Sequence, residues 1–149
     1  MPRRRLLPAA ALSPAEAFAA ALEGLPEGYS CQLPALDPSY TGRDDEAAAL
    51  VSQLSAPGPQ ALLLLAPAGM GKSSLAIDLG QRLVAACCVR GGALWVDMRE
   101  ACSGGDVEAR LMAAFGCDVV SDGDDATRAI VAAAARLAKP AALLLVLDN

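Results

Sequence analysis

One stretch of the sequence constrains the fold more than any other: LLLLAPAGMGKSSLA, at positions 62–76. The apolar run 61–65 leads into a short turn that contains glycine, and a helical pattern begins at Lys72. A continuous apolar run of this length, bounded by turn residues, is typical of a strand that is buried on both faces. The stretch therefore predicts a buried strand, a tight turn and a helix in immediate succession.

The turn has the residues of a phosphate-binding loop. In such a loop, backbone N–H groups and the following helix N-terminus converge on an anion, and the helix dipole favours negative charge. We expect Lys72 to reach the β- and γ-phosphates of a nucleotide and the Ser73 hydroxyl to hold Mg²⁺. The sequence differs from the pattern G-x-x-x-x-G-K-[ST] at one position, because Ala66 occupies the place of the first glycine. The predicted nucleotide contacts are Pro67, Ala68, Gly69, Met70, Gly71, Lys72, Ser73 and Ser74.

The last residues, LLLVLDN, supply a second candidate for the same site. The run 141–147 is apolar and ends at Asp148, as in a Walker B strand, whose carboxylate orients Mg²⁺ through its water shell. An ordinary strand end is the alternative interpretation. Asn149 occupies the position at which many ATPases carry a second acid, and an amide cannot accept a proton from the attacking water. The sequence therefore predicts Lys72 and Asp148 as the catalytic residues of a slow or inactive ATPase.

The rest of the chain alternates between helices and strands. Helical spacing predicts helices over 44–55, 72–88, 106–115 and 124–138. Apolar runs predict strands over 61–65, 93–98 and 141–147. Strands that are separated by helices of ten or more residues form parallel sheets, so the predicted fold class is α/β.

The chain divides into a lead, residues 1–36, and a larger part, residues 37–149. The lead is rich in Pro and Ala and carries one helix signal, in which Ser13 and Glu16 form a capping box and Gly24 is a stop. Its first twelve residues, MPRRRLLPAAAL, resemble a targeting peptide weakly, and a frayed lead-in is the favoured interpretation.

Composition excludes several classes of site. The chain has no histidine, which removes Ser-His-Asp catalysis and His-ligated zinc. Its formal charge of −5 argues against nucleic-acid binding through a basic surface. The five cysteines show no C-x-x-C spacing, so we expect most to be reduced and buried. No apolar run approaches the about 20 residues of a membrane span, so we expect a cytoplasmic protein without a membrane partner.

A third motif carries a family resemblance. The segment Tyr40-Thr-Gly-Arg-Asp-Asp-Glu precedes a short helix, the glycine-containing loop, a strand with Trp-Val-Asp-Met-Arg and the strand that ends Leu-Asp-Asn. In this order and spacing, residues 37–149 resemble the nucleotide-binding domain of the signal-transduction ATPases with numerous domains (STAND). That class includes the NB-ARC domains of plant disease-resistance proteins and the ATPase modules of some bacterial transcriptional regulators.

The resemblance implies a three-layer, AAA-like P-loop NTPase fold with a parallel sheet and places Arg43 beside the adenine and ribose. It implies a switch that is closed with ADP and opens with ATP to contact other domains or protomers. It also implies a sensor strand, a helical lid and a winged helix after Asn149, so we expect the fold to be incomplete at its C-terminal end. The sensor strand would lie between the strands 61–65 and 141–147. In kinases and GTPases the two equivalent strands are direct neighbours.

Two other functions stay open: a small-molecule kinase with the same loop, and an interaction module whose loop binds nothing. Two further features have plain interpretations. Asp97 lies near the end of the strand 93–98 and Arg99 follows it, and a salt bridge at the strand end is favoured over a contact with the site. The acidic run 118–125 is interpreted as a solvated loop, because it lacks the pattern of a calcium loop.

Overall fold

A computed structural model describes residues 12–118, 123–139 and 142–149. Residues 1–11 of the segment that resembles a targeting peptide lie outside these ranges, as does the centre of the acidic run. The described part is of the α/β class, as predicted. Its elements in chain order are α1 (Pro14–Glu23), α2 (Asp44–Leu54), α3 (Lys72–Ala85), β1 (Gly92–Asp97), α4 (Gly104–Phe115), α5 (Gly123–Ala138) and β2 (Leu143–Asp148).

The helices begin in two different ways. Helix α1 begins with the predicted capping box, in which the Ser13 hydroxyl and the Glu16 carboxylate each accept the other residue's backbone N–H. Helix α4 begins with an equivalent box formed by Ser103 and Asp106. Helix α3 begins after Gly71, which is in the left-handed conformation and supplies no side-chain cap. The N-terminal amides of α3 therefore lack the side-chain partner that those of α1 and α4 have.

Strands β1 and β2 form a parallel pair in which Asp97 lies opposite Asp148. Side chains alternate between the two faces of the sheet. On one face, Ala93 and Leu144 pack with Leu83 of α3, in a cluster that also takes in Phe18 of α1. On the other face, a second cluster joins the sheet to α4 and α5, and its sheet members are Leu94 and Leu143. The carboxyl ends of both strands thus emerge at the same edge as the start of α3.

The predicted strand 61–65 is not formed, and the prediction that it is buried on both faces was wrong. Leu62 and Leu64 pack against Leu75 and Leu79 of α3, whereas Leu63 and Leu65 are 76% and 82% exposed. Within the described residues the sheet has two strands, so no neighbour supplies hydrogen bonds to 61–65. The pairing of 61–65 with β2 that a kinase topology requires is likewise not among the strand pairs of this part of the chain.

Two smaller expectations differ from the structure. Helix α3 ends at Ala85, three residues before the predicted end, and Cys87 adopts a left-handed φ of 57° that a helix cannot continue. All five cysteines are free, but none is fully buried, and Cys87 and Cys102 are exposed. The prediction of buried cysteines was therefore wrong. No helix in the described ranges combines the length and apolar character needed to cross a membrane.

Candidate functional site

The turn before α3 has the backbone conformation that its glycines predict. Gly69 and Gly71 have φ values of 79° and 73°, which residues that carry a Cβ rarely adopt. An added Cβ at Gly69 would meet no atom within 4 Å, so the conformation and not the space requires glycine there. The turn opens into the uncapped N-terminus of α3, which has no acidic residue in its first turn. These amides and the helix dipole together favour an anion.

Lys72 closes over the turn that precedes it. Its Nζ donates to the carbonyl oxygen of Ala66 at 2.7 Å and to that of Pro67 at 3.0 Å. The ammonium group therefore lies above the loop and is half-exposed, within reach of an anion that enters the turn. Ala66 at the first position of the motif is compatible with this arrangement, because it takes part through its backbone oxygen. The other loop residues on the predicted list, Pro67, Ala68, Gly69 and Met70, are exposed.

Ser73 and Asp148 are in direct contact. The Ser73 hydroxyl donates to Asp148 Oδ1 at 2.7 Å, in a half-buried hydrogen bond between residues 75 positions apart. Ser73 is in the first turn of α3 and Asp148 is the last residue of β2. The structure thus brings the two residues of the predicted metal site together, beside Lys72. Ser74, the next residue of α3, is half-buried.

The Ser73–Asp148 pair has the donor chemistry that suits Mg²⁺. Both groups are oxygen ligands, and Mg²⁺ in nucleotide sites takes one or two protein ligands together with phosphate oxygens and water. Among the described residues, no three His, Cys, Asp or Glu side chains are grouped as a metal site. A nucleotide-linked Mg²⁺ needs no such group, so the residues present fit this ion when it arrives with phosphates.

Arg43 contacts the same loop through the Met70 carbonyl oxygen. Its Nη1 donates to the Met70 carbonyl oxygen at 3.3 Å, and its Nε donates to Glu46 at 2.8 Å. An open depression of about 430 Å³ is lined by residues 42–46, of which three are acidic. Carboxylates repel phosphates but accept hydrogen bonds from ribose hydroxyls and the adenine amino group. The depression therefore suits the neutral part of a nucleotide better than its phosphates.

Asp97 and Arg99 form the predicted salt bridge at the end of β1. The Arg99 guanidinium holds the pKa of Asp97 at about 2, because it donates to the carboxylate through Nε and Nη2 and the Arg99 backbone N–H adds a further bond. Arg110 of α4 donates to the Asp97 carbonyl oxygen at 2.7 Å. Two cations and a carboxylate thus lie at the same sheet edge as Asp148.

The sequence did not predict one network of ion pairs, which is centred on Arg82. Arg82 of α3 donates to Asp78 one turn earlier and to Asp44 at the start of α2. Asp78 is 2% exposed, and its second carboxylate oxygen has no hydrogen-bond partner among the described residues. The spacing of Asp78 and Arg82 by four residues was a visible signal for their pair. Nothing in the sequence pointed to Asp44, whose neighbour Arg43 is thereby tied to the helix that begins at Lys72.

Comparisons of the chain with protein-family models, with curated proteins and with solved structures found no match. The centre of the candidate site is the group formed by Lys72, Ser73 and Asp148, and Arg43 donates to the Met70 carbonyl oxygen of the same loop.

Proposed function

We propose that this chain is the nucleotide-binding module of a regulatory P-loop ATPase of the STAND type, which takes ATP or ADP with Mg²⁺. The observation that carries the proposal is the 2.7 Å hydrogen bond between Ser73 Oγ and Asp148 Oδ1. This contact places a strand-end carboxylate beside the glycine-containing turn, where a Mg²⁺ that accompanies bound phosphates finds oxygen ligands. The three-layer fold and the STAND assignment belong to this proposal.

The residues of the chain divide the work of binding. The amides at the start of α3 and the Lys72 ammonium hold the phosphates. To do so, Lys72 gives up its hydrogen bonds to the carbonyl oxygens of Ala66 and Pro67 and donates to the phosphates instead. Ser73 and Asp148 hold the Mg²⁺, which when bound offsets phosphate charge. Arg43 borders the depression that takes the base and ribose. Loop, hydroxyl and carboxylate are together already, so binding requires rotamer changes and no folding step.

The role of Asp148 is tested by the change Asp148→Asn. The amide oxygen keeps an acceptor for the Ser73 hydroxyl but removes the negative charge that attracts Mg²⁺. We expect Mg²⁺ to strengthen ATP binding by the wild-type chain, and we expect Asp148→Asn to lose most of that gain, about tenfold in affinity. Calorimetric titrations of ATP in the presence of Mg²⁺ and in the presence of a chelator measure this gain in each chain. Asp125→Asn is the matched control, since Asp125 is an exposed residue of α5.

We expect slow hydrolysis by the purified chain. Asn149 follows Asp148, and its amide cannot take a proton from a water that attacks the γ-phosphate. Turnover should stay below about 1 s⁻¹, within or below the low end of ordinary enzymes. A phosphate-release assay on the monomeric chain measures the rate, and turnover faster than about 1 s⁻¹ would show that another residue serves as the base.

We also propose that other protein domains or protomers meet this module at its open sheet edge. Leu145 and Leu147 of β2 are 39% and 56% exposed, and Leu63 and Leu65 are more exposed still. Large apolar side chains that are exposed in this way are typical of surfaces that another chain segment covers. This supports a regulatory module that works within a larger assembly.

A further inference from the structure

Asp97 and Asp148 stand side by side at the edge of the sheet. They are partners in the parallel register, and the backbone N–H of Met98 donates to the Asp148 carbonyl oxygen at 2.8 Å. Residues in register on neighbouring strands point to the same face. Asp148 reaches Ser73 of α3 on that face, so the Asp97 carboxylate lies beside the Ser73–Asp148 pair.

Arg99 is held at this place by Asp97. Its side chain is 70% exposed and packs in no core cluster, and its bonds are made to the Asp97 carboxylate. The pKa of Arg99 is raised, first by its hydrogen bond to Asp97 and further by the negative charge of Asp148. Because the pKa of Asp97 is about 2, the pair stays charged at every physiological pH. A competing anion can separate it, but a proton cannot.

The surroundings allow Arg99 to leave. A depression of about 290 Å³ is lined by Asp97, Arg99, Glu100 and Arg110. Arg110 is anchored to the Asp97 carbonyl oxygen, and its charge also lowers the pKa of the Asp97 carboxyl. If Arg99 turns away, Asp97 therefore keeps a cation nearby. Arg99 is thus the more exposed cation at this edge, and Arg110 is the one bonded to the backbone.

We propose that Arg99 discriminates triphosphate from diphosphate by exchanging Asp97 for the terminal phosphate of a bound nucleoside triphosphate. The inference rests on the proposed function, in which Lys72, Ser73 and Asp148 bring that phosphate to this edge. A guanidinium binds a phosphate through two parallel hydrogen bonds, which makes the exchange favourable. On this proposal a diphosphate lacks the group that would reach Arg99, and the Asp97–Arg99 pair stays intact. Arg99 therefore couples the loop after β1 to the presence of the third phosphate.

The test measures the affinities for a non-hydrolysable ATP analogue and for ADP, both with Mg²⁺. Arg99→Gln should weaken binding of the analogue about tenfold and change ADP binding less than twofold. Arg99→Lys keeps the charge without the planar fork and should recover part of the loss. Arg128→Gln is the matched control, because Arg128 is an exposed arginine that pairs with Asp125 on α5, and it should change neither affinity.

The outcomes separate this inference from the function on which it rests. Equal effects of Arg99→Gln on the affinities for both nucleotides, or no effect on either affinity, would overturn the role of Arg99. In that case, nucleotide binding that still depends on Lys72 would continue to support the nucleotide site. Loss of both affinities together with thermal stability would assign Arg99 a structural role and would also overturn it. If the wild-type chain bound neither nucleotide, the proposed function and this inference would fall together.

Discussion

Replacing Lys72 with alanine is expected to lower the affinity for ATP and for ADP by roughly ten- to a hundredfold. The Lys72 ammonium group would meet two adjacent phosphates, and a hydrogen bond to a charged group contributes about 1.5–3 kcal/mol. In the unliganded chain Lys72 bonds to carbonyls of its own loop. The substitution therefore leaves the core packing unchanged, and the loss should appear in binding without a matching loss of stability.

Calorimetry with Mg²⁺ measures this effect, and the chain offers a matched control. Lys139 is exposed and directly follows α5, so Lys139→Ala removes the same charge far from the loop in sequence. The control should bind both nucleotides as the wild-type chain does. Equal affinities in Lys72→Ala and wild type would contradict the placement of the phosphates, whatever the other residues do.

Replacing Arg82 with alanine is expected to lower the free energy of unfolding by about 3–5 kcal/mol. Asp78 is 2% exposed, and its Oδ1 accepts from Arg82 Nε at 2.8 Å while its Oδ2 has no hydrogen-bond partner in the described part of the chain. Without Arg82, the buried carboxylate loses its cationic partner and the hydrogen bond that it accepts. The link to Asp44 on α2 is lost as well, but Asp44 is largely exposed and adds little.

Urea denaturation measures the change, and two further variants isolate its cause. Arg128→Ala breaks an exposed pair with Asp125 and should cost at most about 1 kcal/mol. The double variant Asp78→Asn with Arg82→Ala removes the stranded charge and should be more stable than Arg82→Ala alone. If the free energy of unfolding of Arg82→Ala lay within about 1 kcal/mol of the wild-type value, Asp78 would not be paired with Arg82 as the structure has it.

The parts of the site that sequence reasoning found are those whose signals are local. Glycines that require positive φ, a lysine and serine at the start of a helix, and an acid at the end of an apolar strand can each be recognised within a few residues. Their meeting was expected, because a parallel sheet brings strand ends and helix starts to one edge. The hydrogen bond between Ser73 and Asp148 is in line with that expectation.

The parts that the sequence missed depend on neighbours far along the chain. The run 61–65 has the composition of a buried strand, yet a strand also needs partners, and the described residues supply none. Leu63 and Leu65 are therefore exposed although their composition predicted burial. The link from Arg82 to Asp44 joins two helices whose relative position no local pattern encodes. Composition predicts what a segment can become, and tertiary contacts decide whether it does.

The central claim, that the loop before α3 binds a nucleotide with Mg²⁺, is tested most directly by an amide NMR titration of the wild-type chain. On addition of ADP with Mg²⁺, the backbone amide signals of residues 69–74 should shift and saturate at one nucleotide per chain. Those of α5, which lies away from the loop in sequence, should stay unchanged. Amide signals of residues 69–74 that do not move at millimolar nucleotide, or that move no more than those of α5, would contradict the claim.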